Sequence, residues 1–157
     1  MMTKVVVFHA GREEYALPIE YVVSIEKLGN INPIPHLPSY VLGLVKVRNE
    51  LIPVMDLAAI LYNQTLNTEE GLFLVVVHTE TLQIGLLVQE AKEILEVADA
   101  SITDVGLLAY SKTKYFHGVI NLENRMITQI DPNVLVDSLE GIKEIKEYVL
   151  NQKISQN

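Results

Sequence analysis

Cysteine is absent from this 157-residue chain, and that one absence excludes disulfides, thiolate metal sites and cysteine nucleophiles together. Long apolar runs are missing too. The longest, from Leu72 to Val77, falls far short of the roughly 20 residues that a membrane helix needs. Met1 to Phe8 offers only a short apolar run before His9, with no charged segment leading it, so no signal peptide is expected. Positive charge is scarce: 12 Lys and Arg against 20 Asp and Glu give a net charge of −8 and a pI near 4.9. Nucleic-acid binding exchanges a positive face for condensed counterions. No Lys/Arg cluster is visible, so neither nucleic acid nor an anionic membrane surface is an expected partner. The expectation is a soluble, cytoplasmic protein with no direct membrane insertion.

Catalytic and metal-binding patterns are equally thin. His9, His36, His78 and His117 stand singly, whereas a metal site needs three or four converging ligands. No GxSxG, P-loop or GxGxxG occurs. Glu13-Glu14 and Glu69-Glu70 fall in turns and read as solvated charge, since paired general acids must face each other in a pocket. No enzyme, catalytic residue, metal or cofactor is expected.

What is present is strand grammar. Apolar residues make up 49% of the chain, enough for a core without staples. Lys4–Ala10 and Tyr15–Ile19 are β-rich runs about a Gly11–Glu14 turn, and Tyr21–Leu28 continues the pattern. Pro33, Pro35 and Pro38 mark a loop, because each removes a backbone donor. Val41–Val47 and Leu51–Met55 form a hairpin about Arg48-Asn49-Glu50, with Asn49 suited to positive φ. Asp56 caps a short helix, Leu57–Tyr62, before a polar connector, Asn63–Gly71. Leu72–His78 and Gln83–Val88 are strands, while Gln89–Val97 reads equally as strand or helix. Ala100–Lys114 is a loop region and Phe116–Leu122 with Met126–Ile130 a further hairpin. Apolar spacing of 3 to 4 from Leu135 to Val149 predicts an amphipathic helix interrupted near Gly141, followed by a frayed polar tail over 151–157.

The strongest signal is a repeat. Tyr40, Gly43, Asn49, Ile52 and Asp56 recur as Tyr115, Gly118, Asn124, Ile127 and Asp131, a shift of 75 positions. Upstream, Ile19, Val22 and Ile25 align with Val88, Ala91 and Ile94 at a shift of 69. Loops absorb the difference cheaply. Two similar small barrels are expected, each burying alternate residues of its own strands and meeting along a seam. Gly43 and Gly118 are expected to permit a bulge or a close backbone approach.

The same residues resemble the CheW family of chemotaxis coupling adaptors. Gly43 to Leu57, reading GLVKVRNELIPVMDL, is similar to the family signature GVINLRGxVIPVIDL. Ile84–Val88 with Glu93-Ile94-Leu95 resembles VGLLVDxVxEVL, and the opening Val5–Phe8 and Ile34-Pro35 fit as well. Asn49 replaces the turn glycine, Gln89 stands where Asp is common, and Asp131-Pro132 replaces a second Asp-Leu. The resemblance spans Lys4 to about Leu139. It implies a mainly β fold of two five-stranded SH3-like barrel lobes sharing a core, with short helices and a C-terminal helix. Residues 1–150 would form a single domain, with repeat units at about 1–70 and 71–140. It further implies a non-catalytic adaptor joining chemoreceptor cytoplasmic tips to the regulatory domain of the histidine kinase CheA.

Arg48 stands where the family's signature arginine stands, and its planar fork suits an interface. Ile19, Val22, Val88 and Ala91 would line a receptor groove between the lobes, or else serve as ordinary core residues. Two alternatives stay open: a CheW-like scaffold of a different receptor–kinase system, such as pilus or developmental signalling, and a small β-barrel enzyme or ligand carrier. A carrier would require a deep cavity lined by inward residues.

Overall fold

The computed structural model describes residues 1–63, 72–103 and 114–155. Among the described residues ten strands are found: β1 (Met2–Ala10), β2 (Glu13–Pro18), β3 (Val22–Lys27), β4 (Val41–Val47), β5 (Glu50–Asp56), β6 (Leu72–His78), β7 (Gln83–Ala98), β8 (Ile102–Thr103), β9 (Phe116–Leu122) and β10 (Arg125–Ile130). The α-helices among the described residues are α1 (Leu57–Tyr62), α2 (Pro132–Ser138) and α3 (Ile142–Ser155). The Gln89–Val97 segment is strand, part of the 16-residue β7. Residues 151–155 continue α3 rather than forming a frayed tail, and Gly141, at φ 81, makes the expected break before it. The connector over 64–71 and most of the loop before Lys114 lie outside the described residues.

Strand pairing follows the same shifts as the sequence repeat. Val7 pairs with Ala16 in β1–β2, and Val76 pairs with Gly85 in β6–β7, both partners shifted by 69. Val45 pairs with Ile52 and Ile120 with Ile127, both shifted by 75. Between copies, Ile25 of β3 pairs with Val75 of β6, and its counterpart Ile94 of β7 pairs with Val6 of β1. Likewise Val54 of β5 runs parallel to Gly85, and Gln129 of β10 parallel to Ala16.

Each copy therefore lends its first hairpin to the other copy's barrel. The first barrel is β3, β6, the front half of β7, β5 and β4; the second is the back half of β7, β1, β2, β10 and β9, with β8 on its edge. The expectation that each lobe packs its own strands is corrected here. Equivalent edges pair with equivalent partners whichever copy supplies them, and a ladder between copies satisfies the same backbone donors. The halves form one continuous sheet joined through β7.

The interchange explains the unbroken apolar runs. In β1, Val5 and Val7 fill the second barrel while Val6 and Phe8 face the core shared by the two barrels. In β6, Leu74 and Val76 fill the first barrel, with Val75 and Val77 in the shared core. Both strands are covered on both faces, so neither shows polar alternation. Burying one such side chain is worth roughly 1.5–3 kcal/mol.

The repeated identities also find causes. The Asp56 and Asp131 N–H groups donate to the Tyr40 and Tyr115 carbonyls, each at 2.8 Å, and both aspartates cap the following helix. At Gly43 a Cβ would sit 2.1 Å from the Asn32 carbonyl oxygen, and at Gly118 one would sit 2.9 Å from that of Thr103. The glycines admit a crossing segment, as expected from their place in the repeat.

Candidate functional site

The β4–β5 hairpin turns on two residues, Arg48 at φ 51 and Asn49 at φ 68. Such a pair of positive φ angles matches the right-handed strand twist, and Asn tolerates it well. Arginine does not: its Cβ crowds the following carbonyl, at a cost of roughly 1 kcal/mol. Arg48 is exposed, and no side-chain hydrogen bond or ion pair holds it among the described residues. Next to it, Glu50 receives Lys153 of α3 at 3.0 Å. The C-terminal helix thus reaches the tip of this hairpin through Lys153, and its Ile145 and Val149 are buried.

The corresponding tip of the second copy is built differently. Arg125, the counterpart of Glu50, donates Nε and Nη2 to Glu14 at 3.1 and 2.6 Å, and Nη1 and Nη2 to Glu93 at 3.1 and 2.6 Å. Its guanidinium holds both carboxyls below their ordinary range, and they hold the arginine above its own. His9 joins the cluster, 3.3 Å from Glu14 and 3.2 Å from Glu90. One tip spends its arginine internally; the other leaves it to solvent.

The four apolar candidates lie elsewhere, on the turn before β3, on β3 itself and on β7. Ile19, on a 3-10 turn before β3, is 37% exposed, and Val22 is half-buried against the shared core. Val88 and Ala91 are 0% and 2% exposed and belong to that core. These two are buried and present no surface of their own. The alignment that paired them with Ile19 and Val22 is sound in register, but the first copy turns where the second runs straight on, with Glu90 at φ 53 as the joint. Nothing in the described contacts joins Arg48 to the four seam residues.

Sequence reasoning passed over Val23 and Ile94, exposed on β3 and β7 at 46% and 56%. Ile94 carried a signal, as the repeat partner of Ile25. Val23 carried none, because the bulge between Val22 and Ser24 is what turns it outward.

The barrel interiors are filled by Val45, Ile52 and Leu74 in the first and by Val5, Ile120 and Ile127 in the second. The deep inward-lined cavity that a carrier calls for is therefore not found among the described residues. A cleft of about 1080 Å³ lies outside the barrels, between Tyr40, α1, Tyr115 and the α2–α3 junction. There the Tyr40 hydroxyl donates to the Glu140 carbonyl at 2.5 Å, and burial pushes its pKa up to about 12. Tyr40 thus ties itself to the α2–α3 junction, and burial raises the repeated Tyr115 above the ordinary phenol range as well.

Known proteins supply the comparison. The chain is 28% identical to the chemotaxis protein CheW of Rhizobium meliloti, covering 87% of this chain and 89% of that one. It is 25% identical to CheW of Bacillus subtilis over 85% of this chain and 86% of the relative. The crystal structure of the scaffolding protein TtCheW from Thermoanaerobacter tengcongensis superposes with a TM-score of 0.78 at 25% identity, covering 90% of this chain and 91% of that chain. A family model, the CheW-like domain, matches residues 4–146. With the duplicated hairpins, the shared core and the signature segment around Arg48 in place, the chain belongs to the CheW family of chemotaxis scaffolds.

Proposed function

We propose that this chain couples the cytoplasmic tips of chemoreceptors to the regulatory domain of the histidine kinase CheA, binding both from the cytoplasm and carrying out no chemistry itself. The observation that carries the proposal is Arg48, held at positive φ on a hairpin tip with no ion-pair partner among the described residues, while Arg125 on the matching tip is tied by two glutamates. Backbone strain of this kind persists where a side chain has work to do. A free guanidinium offers a partner bidentate pairing and stacking.

The seam is a second surface. Ile19 and Val22, with the adjacent Val23, offer apolar contact, while Val88 and Ala91 are buried in the shared core. A helical receptor tip can lay an apolar stripe on such a surface. Two separate surfaces suit a protein that must hold two partners at once.

The test is pull-down with a CheA regulatory domain and a receptor-tip fragment, each alone. Both are expected to bind, and Arg48→Glu is expected to weaken at least one about tenfold or more with no loss of thermal stability. Binding to neither would overturn the coupling role. Unchanged binding by Arg48→Glu would overturn only the role given to that arginine.

A further inference from the structure

The two hairpin tips follow one charge pattern with the signs reversed. The first reads Arg48-Asn49-Glu50 and the second Glu123-Asn124-Arg125, position for position across the shift of 75. In each, the charge at the third position is held by opposite charge from outside the hairpin. Glu14 and Glu93 hold Arg125, and Lys153 holds Glu50 at 3.0 Å. The first position of each tip, Arg48 or Glu123, is exposed and has no ion pair among the described residues.

Lys153 reaches Glu50 because of where α3 is packed. Ile145, Val149 and Lys153 follow at intervals of four, so they share one helix face. Ile145 and Val149 are buried in the core shared by the barrels, and α3 packs against β5. Apolar burial therefore sets the helix, and the lysine is carried at the end of the buried stripe. With side chains 41% and 54% exposed, the Lys153–Glu50 pair adds little to stability. Lys153 also lies beyond residue 146, where the match to the CheW-like domain ends.

The effect of the pair falls on Arg48. Glu50 is the one carboxylate in the tip segment 46–50, and it stands two positions from Arg48 across the turn. Left without Lys153, it is the nearest anion in sequence for the guanidinium, and opposite charges at close range attract. Chains in which Arg48 is paired internally are subtracted from those ready to bind. A free guanidinium is matched best by a carboxylate, which it can take bidentately. Resting on the reading of Arg48 as a partner contact, we infer that Lys153 is its positioning residue: by occupying Glu50 it leaves the Arg48 guanidinium free for a carboxylate of the partner.

Two measurements on the full chain separate this role from the reading beneath it. The first needs no partner. The Arg48 Nε–H order parameter, from NMR relaxation, is expected to rise in Lys153→Met as Glu50 captures the side chain, and to return to the wild-type value when Glu50→Gln is added. An unchanged order parameter in Lys153→Met overturns the inference. The second titrates the CheA regulatory domain and the receptor-tip fragment separately and follows whichever of them Arg48→Glu weakens. Lys153→Met is expected to weaken that binding about threefold. Glu50→Gln alone is expected to bind at least as well as wild type, and the double variant to recover wild-type binding. If the pair only braces α3, both single variants weaken binding alike and the double does not recover, which also overturns the inference. If Arg48→Glu weakens neither partner, the role given to Arg48 fails and the partner carboxylate with it, whatever the order parameter shows.

Discussion

At Arg48 the backbone pays about 1 kcal/mol for a left-handed conformation that glycine adopts freely. Arg48→Gly is accordingly expected to raise stability by about that much in a urea titration, while weakening the same partner contact as Arg48→Glu. A variant that gains stability and loses binding separates the turn from its cargo. Gly43 gives the opposite case. Its φ of 150 is rarely open to a side chain, and a Cβ would meet the Asn32 carbonyl oxygen. Gly43→Ala is expected to cost about 3 kcal/mol by chemical denaturation, from overpacking and strain together. Gly118→Ala is expected to cost less, because its φ is ordinary and its contact is longer, 2.9 Å. Single residues of this kind were legible in the sequence, since an identity repeated across two copies narrows what it can be for. Exposure was not. Val88 and Ala91 share a register with Val22's strand, but how far each side chain is covered depends on strands far away in sequence.

Among the elements, β7 was the least legible. Its back half carries charge at Glu90, Glu93 and Glu96 among apolar residues, which suits either period, and only pairing with β1 decides for strand. That pairing sets Glu93 beside Arg125, and the resulting cluster makes a prediction about acid. Glu14 and Glu93 are held below the ordinary value of 4.5, chiefly by hydrogen bonds from Arg125. The stability they add is therefore complete above about pH 4.5 and is lost as pH falls through their lowered values. With Arg125 and Glu93 each about a third or more exposed, solvent screening keeps the contribution to about 1 kcal/mol. Arg125→Met is expected to be less stable by that amount at pH 7, and the gap to close below pH 4.5 in pH-dependent denaturation. The helices were read more fully, because Gly141 and the apolar spacing act locally. The extension of α3 to Ser155 was missed: its last turn is polar, and Lys153 gains a partner, Glu50, that is distant in sequence.

Over the whole molecule, duplication was plain in the sequence but the interchange of hairpins was not. Both arrangements, each copy closed on itself or the two exchanged, present the same local patterns and the same repeat. Only the long-range ladders, Ile25 with Val75 and Val6 with Ile94, distinguish them. The exchange has a consequence for folding. Fragments 1–70 and 71–157 should each be largely unfolded alone, since each lacks two strands or more of either barrel, and mixing them should restore native circular dichroism. Barrels built from one copy apiece would let a fragment fold by itself. The exchange also fixes the two candidate surfaces in one rigid body, with the Arg48 tip on one barrel and the seam between both. Coupling requires that both be used together. The most direct measurement is analytical ultracentrifugation of this chain with a CheA regulatory domain and a receptor-tip fragment in one solution. One complex containing all three components is predicted; two binary complexes that displace one another would contradict it.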